Sequence, residues 1–322
     1  MDPVLEIDGL CLEFRSDRGP VKVLDGITLS VSRGETLGLV GESGCGKSVT
    51  GLSVMRLLPS PPARVTAGDI RLGGESLLSL PEAGMRGLRG KRIAMIFQDP
   101  MVSLNPVTTI GAQLAETLAI HGADGRLRSR VEAALAAVGI GDAAQAARAY
   151  PHQFSGGMRQ RAMIAMMLAC RPEVLIADEP TTALDVTVQA QVLDLIRDLQ
   201  AEIGMAVVLV THNLGVVAES CDRVAVMYAG CVVETGPVAA IFAAPQHPYT
   251  RALLAAIPRA DADSATLSVI EGRVPDLVDP PQGCRFHPRC PRASDRCRTE
   301  KPPRRDLGAG RYVVCHHPEA DA

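Results

Sequence analysis

The chain contains no tryptophan and few other aromatic residues. Five phenylalanines and four tyrosines make aromatics only 3% of its 322 residues, while hydrophobic residues as a whole make up 47%. Aliphatic side chains and alanine must therefore fill most of the core. A chain of this length can form one large domain and a smaller one. Charged residues, at 21%, complete an ordinary globular composition.

Long apolar runs are also missing from the sequence. No stretch approaches the roughly 18 apolar residues that a transmembrane helix needs. The first residues, MDPVLEIDGL, lack the basic start and the apolar region of a signal peptide. We therefore expect any role at a membrane to come through a partner protein. The net charge of −3 argues against a dedicated nucleic-acid binder.

Nine cysteines in a chain without an export signal are expected to be reduced thiols. Metal or cofactor ligation then outranks disulfides as the explanation for a cysteine cluster. One such cluster lies near the C-terminus and consists of Cys284, Cys290, Cys297 and Cys315. Its C-x5-C-x6-C spacing differs from the paired C-x2-C of zinc ribbons. Four thiolates suit either Zn²⁺ or an iron–sulfur cluster, and free structural thiols are the third alternative.

Arginines surround these cysteines in the sequence. They are Arg285, Arg289, Arg292, Arg296 and Arg298, against a single nearby acid, Asp295. A cluster with four thiolate ligands carries net negative charge. We therefore expect the arginines to offset that charge.

The hydrophobic pattern divides the chain into regions. Residues 1–40 alternate apolar and polar between turn signals, which predicts antiparallel strands, and TLGLV (36–40) predicts a buried strand. The Ala-, Leu- and Met-rich stretch of about 100–170 predicts helices. From 171, apolar strands and periodic helices alternate, which indicates a parallel sheet covered by helices. Proline-rich sequence after about 243 indicates a small, loop-rich C-terminal region.

A phosphate-binding motif follows the buried strand. GESGCGKS (41–48) matches G-x-x-x-x-G-K-[ST], and VTGLSVMRLL (49–58) predicts a helix after it. The glycines allow a tight turn whose N–H groups face phosphate oxygens. Lys47 is placed to reach the β- and γ-phosphates, and the Ser48 hydroxyl can bind Mg²⁺. We expect Cys45 to be accessible in this positive loop, to favour the thiolate and to react with alkylating reagents unless MgATP protects it.

Two further motifs supply an acid and a second phosphate-binding device. EVLIADEP (173–180) predicts a buried strand that ends in Asp178, a candidate Mg²⁺ ligand, and Glu179, a candidate for activating water. FSGGMRQR (154–161) predicts a helix N-terminus that presents Ser155, Gly156 and Gly157. One γ-phosphate cannot easily use both loops of one chain. Two chains facing head to tail could hold ATP between Lys47 of one and Ser155 of the other.

In combination, these motifs resemble the ATP-binding subunits of ABC transporters, whose usual signature LSGGQ stands here as FSGGM. The resemblance implies that Gln98 in IFQDP senses the γ-phosphate and contacts a membrane subunit. It implies that Asp185 in ALD (183–185) lies across a dimer interface and that His212 in LVTHNL is the switch histidine. Phe14 would stack on adenine, although the following RSDRGP makes that alignment loose.

The resemblance also implies the complete set of site residues. For ATP binding they are Phe14, Gly41, Ser43, Gly44, Cys45, Gly46, Lys47, Ser48 and Val49. For Mg²⁺ they are Ser48, Gln98 and Asp178, and for catalysis Glu179, His212 and Gln98. The residues that act across the dimer are Ser155, Gly156, Gly157 and Asp185. Phe154 and Met158 replace the common Leu and Gln of the signature, but Ser155 and the glycines are retained.

The implied fold is α/β: a P-loop NTPase (RecA-like) core with an antiparallel β subdomain, an α-helical subdomain at about 100–170 and a small C-terminal extension. Residues 1–242 would form the nucleotide-binding domain and residues 243–322 the extension. Longer runs such as FQDPMVSLNPVTTIG, DEPTTALDVTVQAQ and PQHPYTRALLAAIP (245–258) resemble the oligopeptide/dipeptide (peptide/nickel) importer branch.

That branch implies an ATPase that drives uptake of di- or oligopeptides at the cytoplasmic face of the membrane. Its partners would be a second ATPase subunit, two membrane-spanning permease subunits and, indirectly, an extracytoplasmic solute-binding protein, with no nucleic acid. A nickel, glutathione or other non-peptide importer, and a soluble non-transport ABC ATPase, are the alternatives. Some similar extensions carry a [4Fe–4S] cluster, so the resemblance favours iron–sulfur over zinc or free thiols at the four cysteines.

Overall fold

The computed structural model describes residues 2–98, 104–122, 125–181, 185–257 and 270–319. Parts of three predicted motifs lie outside the described residues: Asp99 and Pro100 of the Gln98 motif, Ala183 and Leu184 before Asp185, and Pro258 at the end of PQHPYTRALLAAIP. So do several residues of the predicted helical subdomain. All of the predicted site residues are described.

The strands are, in chain order, β1 (Leu5–Ser16), β2 (Gly19–Val31), β3 (Thr36–Val40), β4 (Ala63–Leu72), β5 (Glu75–Ser76), β6 (Ile93–Ile96), β7 (Val174–Asp178), β8 (Ala206–Val210), β9 (Arg223–Tyr228), β10 (Cys231–Pro237), β11 (Arg304–Gly308) and β12 (Arg311–Val314). Strands β3, β6, β7 and β8 are buried along their whole length. Strands with both faces covered read as continuous apolar runs, which explains why these segments do not alternate.

The helices are, in chain order, α1 (Lys47–Met55), α2 (Glu82–Leu88), α3 (Ile110–Ile120), α4 (Leu127–Ala137), α5 (Ala143–Ala146), α6 (Gly156–Leu168), α7 (Val186–Ile203), α8 (Leu214–Ser220), α9 (Val238–Ala243), α10 (Pro248–Ala255) and α11 (Asp295–Thr299). Short 3₁₀ turns lie at Pro151–Gln153 and His287–Arg289. Across the described ranges, no helix combines the length and the apolar character needed to cross a membrane.

The chain forms two compact units. The first comprises Met1–Val4, Ser32–Gly34 and Ser79–Val208. Its helices α2 to α7 include the predicted helical region, and its strands β6 and β7 pair in parallel. Helix α7 begins at the Asp185 cap and ends at Gly204, whose positive φ of 72° suits a left-handed C-cap. The alternating pattern predicted from 171 onward is therefore confirmed in this unit.

The second unit comprises Leu5–Val31, Glu35–Leu78 and Leu209–Ala322. It contains an antiparallel sheet of order β2-β1-β4-β5, which confirms the antiparallel strands predicted at the N-terminus. Its second run of strands has the order β11-β12-β10-β9-β3, and β3 pairs with β9 in parallel. Strand β12 pairs antiparallel with β10, so the C-terminal strands extend a sheet that begins in the phosphate-loop strand. The boundary predicted near residue 243 stays a prediction.

Helix α1 is shorter than the sequence predicts. The predicted segment runs to Leu58, but the helix ends at Met55 because Arg56 adopts a left-handed conformation with φ of 49°. That residue caps the helix through its backbone N–H, which donates to carbonyls of the last turn. The phosphate loop is therefore followed by about two and a half helical turns.

Three of the few aromatic residues gather in one place in the second unit. Tyr228, Tyr249 and Phe286 are the largest fully buried side chains, and we call them the aromatic cluster. The ring centroids of Tyr228 and Tyr249 lie 4.6 Å apart, and those of Tyr228 and Phe286 lie 5.1 Å apart in an edge-on arrangement. Such geometry stabilises aromatic pairs beyond their buried area. A strand, a helix and the cysteine-rich loop therefore share one core.

Candidate functional site

The phosphate loop lies between the buried strand β3 and helix α1. Its residues Gly41, Cys45, Gly46 and Lys47 are buried, while Ser43 and Gly44 are exposed. Lys47 Nζ donates to the backbone oxygen of Gly41 at 2.7 Å and to that of Glu42 at 3.1 Å. The lysine ammonium is thus held inside the loop, at the positive N-terminal end of α1. This donor set suits the phosphate chain of a nucleotide.

Two glycines of the loop are required by close contacts. A Cβ on Gly41 would lie 2.2 Å from the backbone oxygen of Met227, and one on Gly46 would lie 2.8 Å from Leu24. Gly46 also has a φ of 104°, a conformation that other residues rarely adopt. A larger residue at Gly41 would have to displace the loop from the β9 backbone, and one at Gly46 would have to displace the Leu24 side chain of β2.

The prediction of an accessible, thiolate-like Cys45 is wrong. The side chain is only 1% exposed, and burial raises the pKa of its thiol. Lys47, whose Nζ lies 3.9 Å from the sulfur, counteracts the burial only in part. The thiol lies close to the Gly41 backbone, because a Cβ on Gly41 would meet the Cys45 sulfur at 2.8 Å. We therefore expect slow alkylation.

Glu179 and Gln98 lie together in the first unit. Gln98 Nε2 donates to the Glu179 carboxylate at 3.2 Å. Glu179 follows the buried Asp178 at the end of β7 and has a positive φ of 47°, which is uncommon for a residue with a side chain. Strained backbone of this kind clusters at functional sites. The structure thus brings together a carboxylate and an amide that the sequence places 81 residues apart.

The signature residues also form one site in the first unit. Ser155 caps helix α6, and its hydroxyl accepts a hydrogen bond from Met158 N at 3.3 Å. Asp185 caps α7 in the same way through Val188 N at 2.9 Å. Both caps line a surface cavity of about 700 Å³ together with Gly156 and Gly157. The four residues predicted to act across a dimer are therefore neighbours within this chain.

The remaining predicted residues have simpler surroundings. His212 is exposed two residues after the end of β8, and Ser48 and Val49 lie half-buried in the first turn of α1. Phe14 is half-buried near the end of β1, where it pairs with Val21 of β2 and Ala63 of β4. The role of each remains a prediction.

The four clustered cysteines lie near one another in the second unit. Cys284 N donates to the backbone oxygen of Cys297 at 2.8 Å. Burial is the main cause that raises the pKa of the Cys284 and Cys315 thiols to about 11, and the neighbouring Cys290 and Cys297 thiols contribute to the same rise. All nine cysteines of the chain are described and none forms a disulfide. Among the described residues, no group of His, Cys, Asp or Glu side chains is arranged to hold a metal ion. Four neighbouring thiols are nevertheless the ligand type that an iron–sulfur cluster takes.

The arginines around the cysteines do not serve as unpaired positive charge. Each forms an ion pair with a carboxylate, and the pairs are Arg285–Asp25, Arg289–Glu42, Arg292–Glu319, Arg296–Glu300 and Arg298–Asp295. The expectation that they offset a negatively charged cluster is therefore wrong. Asp25 and Glu42 come from distant parts of the chain, which is why counting local charges in the sequence misses them.

Sequence reasoning also missed residues that support the site. Gln160, in α6, is 1% exposed and donates its side-chain N–H to the backbone oxygen of Pro180, next to Glu179. Tyr249 and Arg289 both bind Glu42 in the phosphate loop. Gln160 stands inside a quoted motif, so its helical position could have drawn attention to it. Tyr249 lies in the run PQHPYTRALLAAIP and Arg289 among the arginines near the cysteines, but neither context predicts a contact with Glu42.

A glycine-rich loop between a buried parallel strand and a helix, with Lys47 inside it, defines a P-loop nucleotide-binding fold. The profile of the family described as "ABC transporter" matches residues 24–182. The profile described as "Oligopeptide/dipeptide transporter, C-terminal region" matches residues 233–297. These two matches extend from the antiparallel sheet to the third clustered cysteine.

Known proteins resemble the chain over nearly its full length. The dipeptide transport ATP-binding protein DppD of Escherichia coli (strain K12) is 50% identical over 99% of this chain and 98% of its own length. The oligopeptide transport ATP-binding protein AppD of Bacillus subtilis (strain 168) is 47% identical, covering 98% and 97%.

Solved ABC cassettes resemble the fold. A dimeric structure of the cassette MJ0796 bound to ADP and Pi superposes with a TM-score of 0.64 at 25% identity, covering 73% of this chain and 98% of that one. The structure of cbiO1 from Clostridium perfringens gives 0.64 at 27% identity, covering 76% and 92%. The chain belongs to the ATP-binding subunits of the ABC transporter family, in the oligopeptide/dipeptide branch. Its class of activity is ATP hydrolysis coupled to transport.

Proposed function

We propose that the chain is the ATP-hydrolysing subunit of an importer that takes up di- and oligopeptides across the cytoplasmic membrane. The observation that carries the proposal is the 50% identity to DppD over nearly the whole of both proteins, including the C-terminal region. The cargo does not contact an ATP-binding subunit, so a nickel, glutathione or other non-peptide importer is the competing function. A soluble ABC ATPase outside transport is the more distant alternative.

In this proposal, the phosphate loop binds the β- and γ-phosphates through its backbone N–H groups and Lys47. Ser48, Gln98 and Asp178 would hold Mg²⁺, which supplies positive charge beside the phosphates when it is bound. Glu179 orients and activates the attacking water. The hydrogen bond from Gln98 to Glu179 supports this role, because it fixes the carboxylate next to the residue that senses the γ-phosphate. Phe14 and His212 would contact the adenine and the γ-phosphate.

We further propose that two ATPase subunits close on ATP head to tail. Ser155, Gly156, Gly157 and Asp185 of one subunit would face the phosphate loop of the other. Their arrangement around one cavity supports this, as does the dimeric form of MJ0796 in two similar structures. Closure would move two membrane-spanning permease subunits through the surface around Gln98. The chain would then be a peripheral protein on the cytoplasmic face, served indirectly by an extracytoplasmic solute-binding protein.

The test is reconstitution of the chain with its permease and second ATPase subunits in proteoliposomes, with labelled dipeptides and the binding protein on the opposite face. We expect ATP-dependent dipeptide uptake that stops when Glu179 is replaced by Gln. Uptake of Ni²⁺ or glutathione, but no peptide, would show that the cargo is wrong while the ATPase role stands. ATP hydrolysis with no association with membrane subunits would point to the soluble alternative.

The [4Fe–4S] cluster at Cys284, Cys290, Cys297 and Cys315 stays a separate prediction. The mutual electrostatic influence of the four clustered thiols, which shows that they are close together, supports it. No step of the proposed mechanism depends on the cluster. Anaerobic purification with an absorption spectrum and iron and zinc assays distinguishes iron–sulfur from zinc and from free thiols.

A further inference from the structure

Glu42 is held at three points, although the phosphate-loop motif accepts any residue at its position. Its backbone oxygen accepts a hydrogen bond from Lys47 Nζ at 3.1 Å. Its backbone N donates to the Tyr249 hydroxyl at 3.0 Å. Its carboxylate accepts two hydrogen bonds from Arg289 Nη1, at 2.9 and 3.1 Å. One loop residue therefore connects the phosphate-binding lysine to two residues more than 200 positions further along the chain.

Arg289 is rigidly placed. Its side chain is 4% exposed, and its other nitrogens donate to the backbone oxygens of Glu271 at 2.8 Å and Ile270 at 3.0 Å. A buried ion pair stabilises its surroundings only when the remaining donors are satisfied, as they are here. The planar guanidinium fixes the directions of these bonds, which a lysine could not reproduce. Arg289 thus presents its charge to Glu42 in one orientation.

The backbone around Arg289 is tied to the aromatic cluster. Arg289 N donates to the backbone oxygen of Phe286 at 3.0 Å, and the Phe286 ring is buried against Tyr228 and Tyr249. The Arg289 guanidinium lies 5.8 Å from the centre of the Tyr228 ring. The position of the arginine therefore depends on close packing of the loop against the core, and not on the exposed part of the C-terminal region.

Tyr249 supplies the second contact from the same core. Its ring is fully buried, and burial raises the pKa of its hydroxyl, so the group stays protonated and neutral at every physiological pH. The neighbouring His247 fixes the backbone of Tyr249, since His247 Nδ1 accepts a hydrogen bond from Tyr249 N at 3.0 Å. A neutral, immobile hydroxyl is a suitable acceptor for the backbone N–H of Glu42.

We propose that Arg289 and Tyr249 are positioning residues for the phosphate loop. Through Glu42 they fix the backbone whose carbonyls hold Lys47, so that the loop is already shaped for phosphate. Both residues act through Glu42 in this proposal. The claim that this restraint favours ATP binding rests on the proposed function. The claim that Arg289 and Tyr249 restrain the loop does not depend on it.

The experiment uses Cys45 as a reporter inside the loop. Its thiol is buried, and its backbone N donates to the Glu42 oxygen at 3.3 Å, so alkylation requires the loop to open. The variants are Tyr249→Phe, Glu42→Gln and Arg289→Ala in the full-length chain. Alkylation of the Cys45 peptide is followed by mass spectrometry without nucleotide. We expect the rate to rise about tenfold or more in Glu42→Gln and Arg289→Ala, because each removes charge-assisted hydrogen bonds.

A double substitution and a matched control complete the design. Combining Glu42→Gln with Arg289→Ala should raise the rate no further than either change alone, since both remove the same contact. Arg289→Lys should give an intermediate alkylation rate, because lysine keeps the positive charge but lacks the planar guanidinium with its several N–H donors. Arg296→Ala removes an exposed arginine from the same region and should react like the wild type.

The nucleotide measurement separates this inference from the proposed function. The KM for MgATP should rise severalfold in Tyr249→Phe and about tenfold in Glu42→Gln, with kcat nearly unchanged. If Cys45 is alkylated faster in the variants than in the wild type, but the wild type does not hydrolyse ATP, the positioning role stands and the ATPase role is overturned. Wild-type alkylation rates in both Glu42→Gln and Tyr249→Phe would overturn the inference, even if Arg289→Ala failed to fold.

Discussion

The phosphate loop (41–48) and the cysteine loop (284–297) both belong to the second unit, and both look like ligand sites in the sequence. The phosphate loop is built by consecutive residues between a strand and a helix. The cysteine loop is held by one buried ring, Phe286, and by arginines that reach carboxylates elsewhere, such as Asp25 and Glu42. The first loop presents groups to a ligand, whereas the second uses most of its polar groups within the protein.

The difference shows what a short motif can convey. Backbone N–H groups that bind phosphate must come from adjacent residues, so their chemistry is visible in an eight-residue pattern. Arginines and thiols act through side chains whose partners can come from any part of the chain. The number of arginines and cysteines near residue 290 therefore predicted a charged metal site. The structure shows that these arginines form ion pairs and that the loop is anchored by an aromatic ring.

The largest expected effect is on ATP turnover, in a variant that loses the catalytic group but keeps phosphate binding. Replacing Glu179 with Gln removes the proposed base and leaves the phosphate loop untouched, so turnover should fall by about 10²–10⁴-fold while MgATP still binds. Steady-state hydrolysis and equilibrium nucleotide binding measure the two effects. Turnover close to that of the wild type would remove Glu179 from the catalytic role.

Lys47→Ala tests the phosphate loop itself. The substitution removes an ammonium that would make charge-assisted hydrogen bonds to two phosphates, so the Kd for MgATP should rise about 100-fold. Fluorescent-nucleotide titration measures it. Cys290→Ser, in the cysteine loop, is the control and should change the Kd by less than about threefold. Equal losses in the two variants would contradict the division of roles between the loops.

Phe286→Ala tests the anchor of the cysteine loop. The ring is 2% exposed, and removal of a buried phenylalanine side chain costs about 3–5 kcal/mol in the free energy of unfolding. Leu307→Ala, at a site 41% exposed in the same region, should cost less than about 0.5 kcal/mol. Urea denaturation compares the two. If the Phe286→Ala and Leu307→Ala variants are equally stable, the Phe286 ring does not anchor the cysteine loop.

The buried His247 should make the stability of the protein depend on pH. Burial lowers its pKa from 6.5 to about 3, so the folded protein keeps this ring neutral while the unfolded chain binds a proton below pH 6.5. Stability is therefore lost as the pH falls from 6.5 towards 3, by up to about 1.4 kcal/mol per pH unit. His247→Asn keeps an acceptor for Tyr249 N and cannot titrate. Between pH 7 and 5 the wild type should lose about 2 kcal/mol more than this variant, and parallel curves would exclude the histidine as the cause.

The smallest effect is expected at the rim of the cysteine loop. Arg296 and Glu300 form an ion pair in which both side chains are more than half exposed. Such pairs contribute little, so Arg296→Ala should leave the free energy of unfolding close to the wild-type value, and salt should reduce any difference. Denaturation at low and high salt measures it. A loss comparable to that of Phe286→Ala would show that the rim, rather than the ring, holds the loop.

Much of the fold was predictable from residue pattern. The buried strand before GESGCGKS, the helix that begins within FSGGMRQR and the strand ending in Asp178 all lie where the sequence predicts them, because continuous apolar runs and capping residues act locally. The end of α1 at Met55 was not predictable, since it depends on the left-handed conformation of Arg56. The buried position of Cys45 was not predictable either, because the motif accepts any residue there and burial depends on the folded loop.

The sequence by itself determined the family, the phosphate loop and the order of the site motifs, because consecutive residues carry these features. Only the tertiary structure decided which groups meet. It brought Gln98 to Glu179, gave each arginine around the cysteines a carboxylate, and joined Tyr249 and Arg289 to Glu42. These contacts depend on the burial of rings and charges far apart in the chain, and burial is a property of the packed core rather than of any local stretch.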